Sequence, residues 1–145
     1  MEKKIIVQKV VLAAAIIRED KVLILQRNKD EDVFPNMWEL PSGKKELLEE
    51  SENSLLREVK EETGLSVRII TPFSVFDYQI EKETEIRDSV QINFLTEIER
   101  EEEVKLSSEH QDFTWITRQE TLEYGLSEKT RQTVKKAFEI ADKLK

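Results

Sequence analysis

The chain has 145 residues, which makes one domain (1–145) with room for a real core. Its residues are 38% hydrophobic and 37% charged, the composition of a soluble globule, and a net charge of −8 argues against sequence-independent attraction to DNA or RNA polymer. It has no Cys, which excludes disulfides, thiolate catalysis and cysteine zinc sites and fits a cytoplasmic protein. Charge interrupts the apolar residues of Met1–Val10, so no signal peptide is expected there. The run Val10–Ile17 is far too short to span a bilayer, so no membrane is expected as a partner.

Taken in order, Lys9–Ile17 is an apolar run of strand length, Arg18–Asp20 a polar turn and Lys21–Gln26 a second apolar run. Together they predict a hairpin buried on both faces; Val and Ile beside the three Ala residues favour strand over helix. The polar stretch 27–36 contains Pro35 and reads as a loop, opened by Arg27, which is either a surface residue or a partner for a substrate phosphate. Trp38–Pro41 follows, with Trp38 expected in the core.

Past Ser51 the chain is expected to be helical to about residue 63. Glu58, Glu61 and Glu62 then stand at i, i+3 and i+4, three carboxylates on one face that repel one another. Leu55, Leu56 and Val59 form the stripe that buries, leaving the acidic face outside the core; Ser51 is a candidate N-cap, and Gly64 falls where a left-handed C-cap is wanted. A divalent cation relieves the repulsion, and carboxylate oxygens suit hard Mg²⁺ or Mn²⁺.

After the helix, Ser66–Ile80 is predicted to be a strand broken near Pro72, Glu81–Glu85 a charged tip and Ile86–Ile98 the returning strand of a long antiparallel hairpin. Most of its aromatic residues, Phe76, Tyr78 and Phe94 among them, are expected in the core, although each is available for base stacking. Glu99–Lys105 is a charged loop, Glu109–Ile116 a loop and short strand, Gln119–Tyr124 a helical turn and Ser127–Leu144 an amphipathic helix. Its stripe is Thr130, Val134, Ala137, Phe138, Ala141 and Leu144. His110, the only His, is expected to be structural or exposed. Strands, a central helix, more strands and a terminal helix make an α/β (α+β) domain with helices on the faces of a mixed sheet.

From Gly43 to Leu65 the chain resembles the Nudix hydrolases, in particular the MutT-like ones. Their signature is Gly, five residues, Glu, seven residues, Arg-Glu, an apolar residue, any residue, Glu-Glu, any residue, Gly and an apolar residue. Gly43, Glu49, Arg57, Glu58, Val59, Glu61, Glu62, Gly64 and Leu65 fill every specified place, and two of the chain's three Gly residues are among them. Ser42 stands where many members have a second Gly, and Leu47-Leu48 where a Pro-Gly pair is frequent.

The resemblance implies an α/β/α sandwich and Mg²⁺-dependent water attack on phosphorus in a nucleoside diphosphate linked to another group. Carried over by position, Glu58, Glu61 and Glu62 are metal ligands, with Glu58 also a candidate general base, and the carbonyl of Ser42 adds a backbone ligand. Arg57 holds Glu49 or Glu58 by a bidentate pair, and Glu49 supports the site or binds metal at its edge. Glu109 lies on the late loop from which MutT-like members supply another acid, and is a second candidate for base or ligand. The leading expectation is hydrolysis of a nucleoside triphosphate to a monophosphate and pyrophosphate. Alternatives are another nucleoside diphosphate derivative, such as a nucleotide sugar, ADP-ribose or a dinucleoside polyphosphate, and a non-catalytic nucleotide-sensing module. Gln79–Glu83 carries neither the Pro of ADP-ribose members nor the Tyr of dinucleoside polyphosphate members.

Overall fold

Alternate residues of one strand build both cores of the protein. In a computed structural model, which describes residues 3–145, strand β1 spans Ile5–Arg18. Its Ala13 and Ala15 enter one hydrophobic cluster, whereas Leu12, Ala14 and Ile16 enter the other. That is the period-2 alternation of a strand covered on both sides, and it explains why Val10–Ile17 reads as an unbroken apolar run. Met1 and Glu2, the start of the stretch in which no signal peptide was expected, lie outside the described residues.

Strand β2 (Lys21–Arg27) returns antiparallel to β1 through Glu19 and Asp20, both at positive φ (50° and 65°). Two consecutive left-handed residues make the type I′ turn that suits strand twist. Only Ile17↔Val22 and Arg18↔Lys21 pair across this hairpin, however. The long partner of β1 is β6 (Glu85–Ile98), which runs parallel to it from Ile5↔Glu85 to Ile16↔Thr96. β3 (Trp38–Glu39) pairs with β2, and β4 (Ser42–Lys44) pairs with β1. β5 (Val67–Glu81) forms the long antiparallel hairpin with β6, and β7 (His110–Ile116) completes the sheet against β2. The break expected near Pro72 is instead a pair of register shifts, between Ile69 and Thr71 and between Pro72 and Ser74, within one continuous strand. A bulge takes up the extra residue and bends the strand without ending it.

Helix α1 (Ser51–Thr63) covers one face of this mixed sheet through Leu55 and Val59. Helix α2 (Glu128–Lys143) covers the other through Val134, Ala137 and Phe138. The expected α/β/α arrangement is therefore present. Leu56 is 36% exposed and does not belong to the α1 stripe. Ser51 is the first helical residue; the N-cap is Glu50, with no capping bond from its side chain. Gly64 ends the helix at φ 75°, as anticipated, and Lys105 of the charged 99–105 loop packs against it. In α2, Ser127 caps the N-terminus by accepting from the Thr130 N–H; Leu144 lies past the last turn and is exposed. A 3₁₀ turn, Arg118–Glu123, begins at Thr117 with a capping box to Glu120. No helix among the described residues is long and apolar enough to cross a membrane.

Candidate active site

The short strand β4 and helix α1 meet at Gly43. A Cβ there would overlap the Glu58 carboxyl group, so the glycine makes room for that side chain. The requirement is one of close approach, since Gly64 is the glycine with positive φ. One residue earlier, the backbone N–H of Ser42 donates to Glu62 Oε1 at 2.9 Å. Ser42 itself lies in β4 opposite Ala13, so the serine is accommodated as ordinary strand. Glu62 is buried, which corrects the expectation that the whole acidic face lies outside the core. The physical reason is that i+3 and i+4 are not equivalent directions once a strand packs beside the helix: Glu62 turns under β4 while Glu61 stays exposed.

Arg57 ties the acidic residues together. Its Nε and Nη2 donate to the two carboxylate oxygens of Glu49, at 3.0 and 2.9 Å, and Nη1 donates to Glu58 Oε1 at 3.0 Å. Glu61 accepts at 3.3 Å from the same Nη1. The bidentate pair is with Glu49, and it holds that carboxyl down at about 2. Glu58 moves the other way, since burial raises it against the pull of Arg57. Burial pushes Glu62 well above the ordinary carboxylate range; the Ser42 N–H opposes the shift, and Glu39, Glu109 and Glu58 reinforce it.

A second group joins Arg27 and His110, both singled out in the sequence, to Glu39 and Glu31, which were not. His110 Nε2 stands 2.8 Å from Glu39 Oε2, and the ring is buried. An ionised carboxylate only accepts, so this contact places the proton on Nε2. Arg27 Nη1 donates to the same Glu39 oxygen at 3.3 Å, its Nε donates to the Val33 carbonyl at 2.9 Å, and Glu31 lies 3.5 Å from its Nη2. His110 is thus structural, as expected, but it is joined to the site: Glu62, Glu109 and His110 offer ligand atoms that all lie within 4.8 Å of one another. Glu39 had no signal of its own, because it is one Glu in a Glu-rich chain; it enters by the β2–β3 pairing Leu25↔Glu39. Its neighbour Trp38 packs on the core and meets Tyr124 edge-on at 5.2 Å.

These residues border an open cavity of about 580 Å³, to which Arg27, Glu39, Ser42, Gly43, Glu62 and Glu109 all contribute. Phe76 and Tyr78 face this cavity, contrary to the expectation of core positions, whereas Phe94 is buried. The reason is local: this part of β5 meets the polar first turn of α2 and not its apolar stripe, with Lys129 Nζ 5.7 Å from the Phe76 ring and Ser127, Glu128 and Thr130 bordering the same cavity. Clustered, partly buried carboxylates that repel one another and face a cavity fit a hard divalent cation. The structure brings Glu58, Glu62 and Glu109 together, places Glu49 behind Arg57, and leaves Glu61 at the exposed margin.

Comparison with known proteins agrees with this geometry. The family model of the NUDIX domain matches residues 8–137. The nucleoside triphosphatase NudI of an Escherichia coli strain (O17:K52:H18) is 30% identical over 135 residues, covering 88% of this chain and 95% of that protein. The MutT NUDIX hydrolase of Burkholderia pseudomallei superposes with a TM-score of 0.72 at 26% identity, covering 91% of this chain and 96% of that one. The MutT protein of Methanosarcina mazei Go1 gives a TM-score of 0.73 at 23% identity over 99% of both chains, a likeness of fold. With the signature intact, its helix seated under β4 and the domain matched almost end to end, the chain belongs to the NUDIX family and is a MutT-like Nudix pyrophosphohydrolase.

Proposed function

We propose that the protein hydrolyses a nucleoside triphosphate to a nucleoside monophosphate and pyrophosphate, with Mg²⁺ as its cation and Mn²⁺ as a substitute. The observation that carries the reading is the pair of carboxylates Glu62 and Glu109 on the wall of a cavity of about 580 Å³, with the Arg57-clamped Glu58 packed behind that wall against Gly43. The triphosphate is suggested by the activity named for the relative at 30% identity.

Glu58, Glu62 and Glu109 would hold the cation, with the Ser42 carbonyl and Glu61 as further oxygen donors at its margin. When bound, the cation neutralises phosphate oxygens and acidifies water. The protein's own groups do the rest. Arg57 fixes Glu58 relative to Glu49, so that the carboxylate does not swing away when its charge is compensated. Glu58 takes the proton as the water oxygen bonds to phosphorus and the bridging P–O bond breaks toward pyrophosphate; burial raises its basicity, which suits that role. Glu109 is the second candidate for this proton. Arg27 faces the cavity and stabilises phosphate charge, while Glu39 and Glu31 orient its guanidinium.

The test is phosphate and pyrophosphate release with Mg²⁺ across ordinary and oxidised nucleoside triphosphates, ADP-ribose, nucleotide sugars and dinucleoside polyphosphates, comparing wild type with Glu58→Gln. Pyrophosphate from a triphosphate, reduced about a hundredfold or more in the variant, is the expected result. Turnover of another class alone would move the substrate assignment. Nucleotide binding without turnover would point to a sensor.

A further inference from the structure

The cavity has a second, oppositely charged end. Sheet register places Lys44, Val11, Gln91 and Phe76 in one row across β4, β1, β6 and β5. Two residues along, Lys9, Ser89 and Tyr78 form the next row, and Val7, Arg87 and Ile80 the one after. Strand alternation turns all three rows to the same face. Lys44 and Arg87 therefore line the cavity from the first and third of these rows, and Lys82 joins them from the β5–β6 turn.

In a chain of net charge −8 this gathering is unusual, and little in the protein compensates it. Lys44 and Lys82 have no ion-pair partner among the described residues. Arg87 approaches one carboxylate, Glu85, at 3.7 Å, beyond hydrogen-bonding range, and its buried Nε has no hydrogen-bond partner. Repelling cations and an orphaned guanidinium N–H on a cavity wall are completed by an anion.

We infer that Lys44, Lys82 and Arg87 form a phosphate subsite separate from the Glu58–Glu62–Glu109 group, so that the ligand carries at least one phosphate beyond those held at the carboxylates. The inference deepens the hydrolase reading and rests on its choice of cavity. That phosphate comes from one of two sources: the far end of a triphosphate chain, or a second phosphorylated group on a nucleotide derivative.

The deciding measurement is calorimetric titration of inorganic pyrophosphate into the full chain with divalent cations chelated. Wild type is expected to bind, Lys82→Gln/Arg87→Gln to bind about tenfold more weakly, and Glu85→Gln, which removes the competing carboxylate, to bind more tightly. Lys82→Gln alone, at the turn, gives the same direction should the double variant fold poorly. Absence of wild-type binding, or equal affinities across the variants, would overturn the subsite whether or not the protein turns over nucleotides. Should no nucleotide be hydrolysed while pyrophosphate binding still responds to these variants, the hydrolase substrate falls and the subsite stands. With turnover, a KM raised in Lys82→Gln/Arg87→Gln for triphosphates assigns the chain end; a KM raised only for diphosphate-linked derivatives assigns the second group.

Discussion

Gly43 shows how much chemistry rests on a missing side chain. Gly43→Ala places a methyl group against the Glu58 carboxyl, the movable end of a side chain, so the helix stays and the carboxylate shifts. Activity is expected to fall about tenfold to a hundredfold while the thermal midpoint changes little; a large loss of stability with proportionate activity would sink this account. Glu62 gives the opposite combination. Its folded-state pKa is raised, so in the cation-free protein its contribution favours folding at low pH and is lost as pH rises from the unfolded value through the folded one. Glu62→Gln keeps an acceptor for the Ser42 N–H and removes the buried charge. Cation-free stability at neutral pH should rise by about 0.5–2 kcal/mol in denaturant titrations, with activity abolished. The spacing of Glu58 and Glu62 was legible in the sequence. Their unequal burial was not, because it depends on β4 lying over one of them.

At the scale of elements, α1 has an apolar stripe narrower than its pattern suggested. Leu55 is fully buried and Leu56 is 36% exposed, although both were assigned to the buried side. Leu55→Ala is expected to cost about 2–5 kcal/mol and Leu56→Ala under about 1 kcal/mol in equilibrium unfolding. Equal costs would show that the helix is rotated from the position described. The long hairpin of β5 and β6 was readable from the alternation of Val90, Ile92 and Phe94, but its bulges were not. A bulge is chosen by how a strand must bend to keep its pairing, and no residue pattern states that in advance. The exposed Leu47-Leu48 pair is a related case: Leu48 takes φ 67°, the conformation a glycine would supply, at a fully exposed position.

Across the whole molecule, one cavity gathers charges of both signs. Carboxylates from α1, β3 and the loop before β7 line it with Arg27, which is paired to Glu39, and cations from β4, the β5–β6 turn and β6 line it without such pairs among the described residues. A divalent cation that binds only the folded state stabilises it by mass action, about 2.7 kcal/mol at a hundred times its Kd. The thermal midpoint should therefore rise on adding Mg²⁺ or Mn²⁺, rise more at pH 8 than at pH 5 because protons compete for Glu58 and Glu62, and return on chelation. A shift independent of pH, or one retained by a variant lacking both carboxylates (Glu58→Gln/Glu62→Gln), would place the cation elsewhere. By itself the sequence determined the order of elements, the catalytic-type helix and its signature, because hydrophobic period and short motifs are local and need only neighbours along the chain. The tertiary structure alone decided the parallel β1–β6 pairing, the joining of Glu39 and His110 to the site, and the convergence of Lys44, Lys82 and Arg87. Each of these depends on residues dozens of positions apart meeting through strand register, and register follows from how both faces of β1 are buried.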